Sequence, residues 1–391
     1  MFNFDEVIDR KGTNCAKWDM IEESQKPADV LPMWVADMDF RSPKKIEEAL
    51  QERIQQGVYG YSIIPDTYYQ AVISWMKRRH DFDVEKSWII PTPGVVTAIK
   101  ICVNAFTQKG DHIIINKPVY YPFDASIVLN HRHIVENPMI FKDGHYEMDY
   151  ESFEQAIIDH DVKMFILCNP YNPIGKVWKK EELEKIGKIC QKHHVLVVAD
   201  EIHQDFVYRD HVHIPFYNVD ESFKDFSIIL TAPSKTFNLA GLQTSNVMIA
   251  NERLKQIYQD TMTRCGVNAP NFLGIIACQC AYDECELWVD EMLEYVYDNF
   301  MYFDEFLKTN LPHIHLIEPE GLYLAWVDFR ECGLNKDELE KVMLEKAGLW
   351  LDEGYIFGTG GEGFERFNLA VPRRILEDAC QRLKKVFQED K

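Results

Sequence analysis

The sequence has no surplus of basic residues: Lys and Arg number 42 against 63 Asp and Glu, a formal net charge of −21. Without cations to displace condensed counterions, the chain does not read as a binder of nucleic-acid backbones. The same charge is repelled by anionic membrane surfaces. No apolar run approaches the roughly 18 residues of a membrane span; the richest, such as Val195–Ala199, are strand-sized. The opening Met1-Phe2-Asn3-Phe4-Asp5-Glu6 has neither a basic nor an apolar stretch, so no secretory signal is expected. There is no Cys-x-x-Cys pair. The ten cysteines are scattered, and several sit inside apolar runs such as Phe165-Ile-Leu-Cys168. That placement suits buried thiols in a reducing compartment, so the cytoplasm is the expected location. Internal repeats, low-complexity tracts and pooled Pro/Gly linkers are missing as well.

What is present is an ordinary globular balance, 46% apolar and 27% charged, which excludes disorder as a global description. At 391 residues the chain is long enough for two packed domains of roughly 100–200 residues each. Helical and strand periods alternate along its first part, the mark of an α/β layer fold. Helices are expected from Ser42-Pro43, over Asp66–Arg79, from Gly94 to Phe106 and over Lys179–His193. Between them, Ser87–Pro91, Asp111–Asn116, Met164–Cys168, Val195–Ala199 and Ser227–Leu230 read as short apolar strands buried on both faces, hence a mostly parallel sheet. Beyond residue 285 a long helical pattern, Leu287 to Leu307, leads to strands at Leu322–Phe329 and Phe367–Val371, a helix near Asn335–Lys346 and a last helix from Pro372. The division this implies is a large α/β domain over residues 45–285 and a small α+β domain built from residues 1–44 and 286–391.

Three conspicuous patterns carry no chemistry. Gly358-Thr-Gly360-Gly-Glu-Gly363 spells a dinucleotide fingerprint, but a strand follows it where the fingerprint needs a helix. It reads as a glycine-rich loop. The pairs His131/His133, His211/His213 and His313/His315 have ligand spacing on a strand, but no further ligand pattern accompanies them; they read as surface histidines and no metal is expected. Cys278-Gln-Cys280 with Cys285 lies in an apolar helical pattern and reads as packing.

Four segments in the first 245 residues are individually modest and jointly specific. Pro93-Gly94-Val95-Val96-Thr97 is a glycine turn opening a helix after a strand, a place where backbone N–H groups suit a phosphate. Asn169-Pro-Tyr-Asn172-Pro-Ile-Gly175 closes a buried strand. Val197-Val-Ala-Asp200-Glu201-Ile-His203 sets an acid at the carboxyl end of another, where ligands of open α/β sheets sit. In Thr231-Ala-Pro-Ser234-Lys235-Thr-Phe-Asn238-Leu-Ala-Gly241-Leu-Gln243, one lysine stands among small and apolar residues. A partly desolvated lysine favours its neutral, nucleophilic form.

In order and spacing these segments resemble the class I/II aminotransferase family of pyridoxal-phosphate enzymes (fold type I), from about Pro32 to the C-terminus. The resemblance implies that Lys235 bonds covalently to the cofactor and later shuttles the Cα proton, and that Asp200 pairs with the pyridinium nitrogen. Asn172 would hydrogen-bond the ring phenolate oxygen, and Tyr120 would stack on the ring. Gly94, Val95 and Val96 would face the phosphate with Ser234 in support, and Tyr61, in Gly57-Val-Tyr-Gly60-Tyr61, would reach it from the partner subunit of a homodimer with shared sites. Arg366, in Phe364-Glu-Arg366-Phe-Asn368, would hold the α-carboxylate of an amino-acid substrate, a bidentate task that suits guanidinium.

Two positions depart from the aminotransferase pattern: Gln243 stands where an arginine usually meets the phosphate, and His203 where a tyrosine lies near the phenolate oxygen. Both, with Leu31-Pro-Met-Trp34-Val-Ala-Asp37-Met-Asp39-Phe40, resemble the MalY/PatB-type cystathionine β-lyase branch (cysteine-S-conjugate β-lyases). The activity implied is cleavage of L-cystathionine or a related conjugate to a thiol, pyruvate and ammonia. An aminotransferase would share the same residues and differ in needing a 2-oxo acid. A chain whose main role is to bind a regulatory protein is the third reading.

Overall fold

The computed structural model describes residues 2–268 and 270–388. The larger of its two main sheets has seven strands: β1 (Ile89–Thr92), β2 (His112–Lys117), β3 (His133–Pro138), β4 (Met164–Cys168), β5 (Leu196–Asp200), β6 (Ser227–Thr231) and β7 (Ser245–Met248). They lie in the order β1-β7-β6-β5-β4-β2-β3. The neighbours from β6 to β3 are parallel, while β7 runs antiparallel to both β1 and β6. Strands β4 and β6 are buried along their whole length, as is all of β5 after Leu196, because helices cover both faces.

Helices α1 (Asp66–His80), α2 (Val95–Phe106), α3 (Lys180–Lys192) and the single turn α4 (Pro233–Thr236) belong to this layer. Gly94 precedes α2 with φ of 86°, a left-handed conformation that glycine adopts without strain. It turns the chain sharply from β1 into the helix.

The second sheet is antiparallel. Its strands β8 (His315–Leu316), β9 (Leu324–Asp328), β10 (Asp352–Glu353) and β11 (Phe364–Asn368) lie in the order β8-β9-β11-β10. Helices α5 (Glu286–Asn310) and α6 (Arg373–Phe387) pack against each other beside it. Leu31–Pro32 pairs in parallel with Leu349–Trp350, bringing the N-terminal segment to the C-terminal part of the chain.

Three local expectations shift. The strand foreseen at 367–371 is β11, three residues earlier, since buried Glu365 and Arg366 interrupt its apolar signal. The helix near 335–346 is α-helical only over Lys336–Lys341 and continues as a wider turn over Val342–Ala347. Strands β3, β7, β8 and β10 were not foreseen. Among the described residues, no helix is long and apolar enough to cross a membrane.

Candidate active site

The register of the parallel strands sets the site. Cys168 pairs with Asp200 and Asp200 with Leu230, so the carboxyl ends of β4, β5 and β6 lie level. The segments at these ends carry Asn172, Asp200 with His203, and Lys235, so residues from three stretches distant in sequence meet in one crevice. A cavity of about 280 Å³ opens there. Its lining includes Gly94, Val95, Val96, Tyr120, Asn172, Asp200, His203, Ser234 and Lys235, which is every foreseen site residue except Tyr61 and Arg366.

Lys235 lies on α4, between the sheet and the N-terminal segment. Its Nζ donates to the Ala36 carbonyl (2.6 Å), which also accepts from the Tyr323 hydroxyl (2.8 Å). Burial, with the Arg366 guanidinium, brings the lysine down from its ordinary value to about 8, against the opposing pull of Asp37 and Asp200. The Ala36 segment is itself pinned. Asn238 donates to the Met38 and Phe40 carbonyls (2.9 and 3.1 Å), and Arg10 and buried Lys17 grip Asp37 and Asp39.

Asp200 ends β5 in full burial, which pushes its carboxyl up to about 7, although the Ile202 N–H (3.1 Å) and Lys235 pull it down. His203, also buried, has an Nδ1 with no partner among the described residues. Burial, with the nearby Lys235 and Arg366, holds its imidazole neutral. Asn172 is oriented by two contacts: its N–H donates to Cys168 Sγ (3.3 Å) and its Oδ1 accepts from Arg366 Nη1 (3.0 Å). The amide nitrogen of the side chain is thus left as a donor.

Arg366 stands behind Asn172 rather than in the lining. It is 2% exposed, paired with Asp352 across the β10–β11 ladder and bonded to the Trp34 carbonyl (2.9 Å). Its buried Nε has no partner among the described residues. A planar acceptor such as a carboxylate would satisfy it.

At the opposite end, Val95, Val96 and Thr97 open α2, where the first N–H groups have no carbonyl one turn earlier to bond. The N–H of Gly94 is not among those available, because it donates to Thr92 O (2.9 Å); its contribution is the turn. Lys235 is the one cation among the lining residues, so an anion here would rest on backbone N–H groups and on Thr97, Ser234, Gln243 and Thr244. Tyr61 lies away from the cavity in an exposed segment with Val58 and Ile63.

These features fit pyridoxal phosphate: an anion cradle, a buried carboxylate in no ion pair among the described residues, an orphaned imidazole nitrogen in the same lining, and a lysine of lowered basicity. Sequence reasoning missed Ala36, Ile202 and Ala240, whose place in the lining comes from backbone course rather than side-chain chemistry, and gave no role to the hydroxyls of Thr97 and Thr244. It also took His213 for a surface residue, whereas that side chain is buried against Glu201.

Comparison with known proteins gives the family. The aminotransferase class I and II pattern matches residues 28–383. The chain is 42% identical to cystathionine beta-lyase PatB of Bacillus subtilis (strain 168), covering 98% of this chain and 99% of that one. It is 32% identical to protein MalY of Escherichia coli (strain K12), covering 96% of each. Its fold superposes with a TM-score of 0.96 on cystalysin of Treponema denticola, a structure containing a pyridoxal 5'-phosphate cofactor, at 38% identity over 99% of this chain and 98% of that one. Sequence, fold and crevice lead to one assignment: the chain belongs to the aminotransferase class I and II family.

Proposed function

We propose that this chain is a pyridoxal-phosphate-dependent carbon–sulfur β-lyase. It cleaves L-cystathionine or a related cysteine S-conjugate, with one water, to a thiol, pyruvate and ammonia. The observation that carries the reading is the joint presence of Lys235, Asp200 and Asn172 in one cavity of a chain so similar, end to end, to a named cystathionine β-lyase.

When bound, the cofactor supplies an aldehyde that bonds amines covalently and a protonated ring that takes up the electron pair left at Cα. The residues divide the remaining work. Asp200 keeps a proton at the ring nitrogen, since a buried carboxylate prefers a cationic neighbour to none. The Nζ of Lys235, with its lowered basicity, takes the proton from Cα; a base whose value lies near the working pH does this well. Arg366 offers the α-carboxylate its unpartnered Nε, and because it also bonds Asn172, substrate binding and cofactor orientation share one guanidinium. The sulfur at Cβ then leaves as a thiolate. Purified protein supplied with pyridoxal phosphate and no 2-oxo acid should release pyruvate from L-cystathionine catalytically. Amino-group exchange that requires a 2-oxo acid, without pyruvate, would establish an aminotransferase instead.

The same reading makes the protein a cytoplasmic homodimer, and Tyr61 supports the dimer. A tyrosine fully open to solvent within an apolar segment is what a site completed by a second copy requires. Tyr61→Ala and Lys235→Ala should each be poorly active alone. Unfolded together and refolded as a mixture, they should recover roughly a quarter of wild-type activity, because half of the dimers pair an intact lysine with an intact tyrosine across one interface. No recovery would mean that Tyr61 serves its own subunit.

A further inference from the structure

Behind the cavity lies a buried polar chain that the reaction above does not use. Thr236 follows Lys235 directly and is fully buried; its Oγ1 donates to Asp205 Oδ2 (2.6 Å). The other oxygen of Asp205 meets Nε2 of His80, the last residue of α1, at 2.9 Å. The His80 ring stands edge-to-face against His213 (5.4 Å, 88°), and His213 Nε2 meets Glu201 Oε2 at 3.2 Å. Glu201 Oε1 also accepts from Asn169 Nδ2 (3.3 Å) and from the Phe216 N–H (2.9 Å). None of these six side chains lines the cavity. One end of the chain adjoins Lys235 in sequence, and the other adjoins Asp200.

We propose that Asp205 and His80, acting through the Thr236 hydroxyl, are positioning residues that fix the Lys235 turn, while Glu201 and His213 do the same for Asp200. The α4 turn is four residues long and has no side-chain cap. One turn of helix does not hold its own shape, so the direction of Nζ is set by whatever grips the turn from outside. Among the described residues, the only side chain of α4 with a hydrogen bond away from the cavity is Thr236, and its acceptor is a carboxylate, a group that makes short, strong bonds. Burial holds His80 neutral, so a single ring N–H faces Asp205. Burial alone would raise Asp205, but His80, Thr236 and nearby Arg79 keep it ionised. Filling this space with apolar side chains would cost no more than burying two acids and two histidines; what the polar chain adds is direction.

The proposal rests on the cofactor site proposed above, but not on which reaction runs there. The test compares Thr236→Val, Thr236→Ala and Thr236→Ser, each loaded with pyridoxal phosphate, by kcat, KM, melting temperature and visible circular dichroism per unit of cofactor absorbance. The dichroism reports how the cofactor is held at Lys235 in the resting protein. The two variants lacking the hydroxyl should lose 10-fold or more in kcat, with KM within twofold and an altered dichroic signal. Thr236→Ser, which keeps the hydroxyl, should match wild type within about threefold. If a folded variant without the hydroxyl keeps kcat and dichroism within twofold of wild type, even with a lower melting temperature, the chain is merely structural and the proposal is wrong. A wild-type protein that makes no pyruvate would overturn the lyase reading and leave the dichroic comparison intact.

Discussion

Lys235→Ala should lower pyruvate release by about 10⁴-fold, the scale of a lost general acid–base group. The substitution removes both the amine that bonds the cofactor and the base that takes the Cα proton. The visible band of lysine-held cofactor should vanish with it. The fold should survive, because the Ala36 carbonyl that Nζ engages keeps its second donor, the Tyr323 hydroxyl. Added methylamine should restore part of the rate by supplying the missing base in solution. Retention of more than a tenth of wild-type activity would remove Lys235 from the chemistry. A cofactor-free companion measurement tests the electrostatics. Labelling of the wild-type Nζ by an amine reagent should reach half its maximum near pH 8, because burial and Arg366 disfavour the ammonium there.

The parts of the fold that could be read in the sequence are those where a residue's neighbours in the chain are also its physical environment. Met164–Cys168 is buried on both faces and apolar throughout, and Ser227–Thr231, equally buried, carries an apolar centre in Ile228-Ile229-Leu230. Strand β7 hides for the opposite reason. Its first residues, Ser245 and Asn246, are polar and buried, and their partners are distant: Ser245 bonds the Thr92 carbonyl and Asn246 the Tyr68 hydroxyl. Strand β3 lies at the sheet edge, and its His133 start and Glu-Asn-Pro end are polar or turn-forming, which hides it. In the site, Lys235, Asp200 and Asn172 were legible because each stands at or just beyond the end of a buried strand with chemistry unusual for its surroundings. Ala36 was not, since its contribution is a carbonyl. His213 was misread because spacing of two says nothing about which face is buried, and the carboxylate that holds it, Glu201, is twelve residues back.

Arg366 carries the second large expectation, and it has two parts that must be separated. In Arg366→Ala the Asp352 carboxylate, nearly as buried as the arginine, loses its ion partner, which costs about 3–5 kcal/mol of stability for an uncompensated buried charge. Asn172 loses the donor that orients it. The fork for the α-carboxylate disappears as well, which should raise KM for L-cystathionine by about 100-fold, the scale of a charge-assisted bidentate contact. The double variant Arg366→Ala/Asp352→Asn divides the two effects. Neutralising position 352 removes the stranded charge, so the melting temperature should return most of the way to that of Asp352→Asn alone, while KM stays high. Arg366→Lys should fall between, since an ammonium keeps the charge but cannot reach Asn172, Asp352 and the Trp34 carbonyl with one planar group. A double variant that recovered KM together with stability would show that Arg366 serves only to neutralise Asp352, and the carboxylate of the substrate would need another partner.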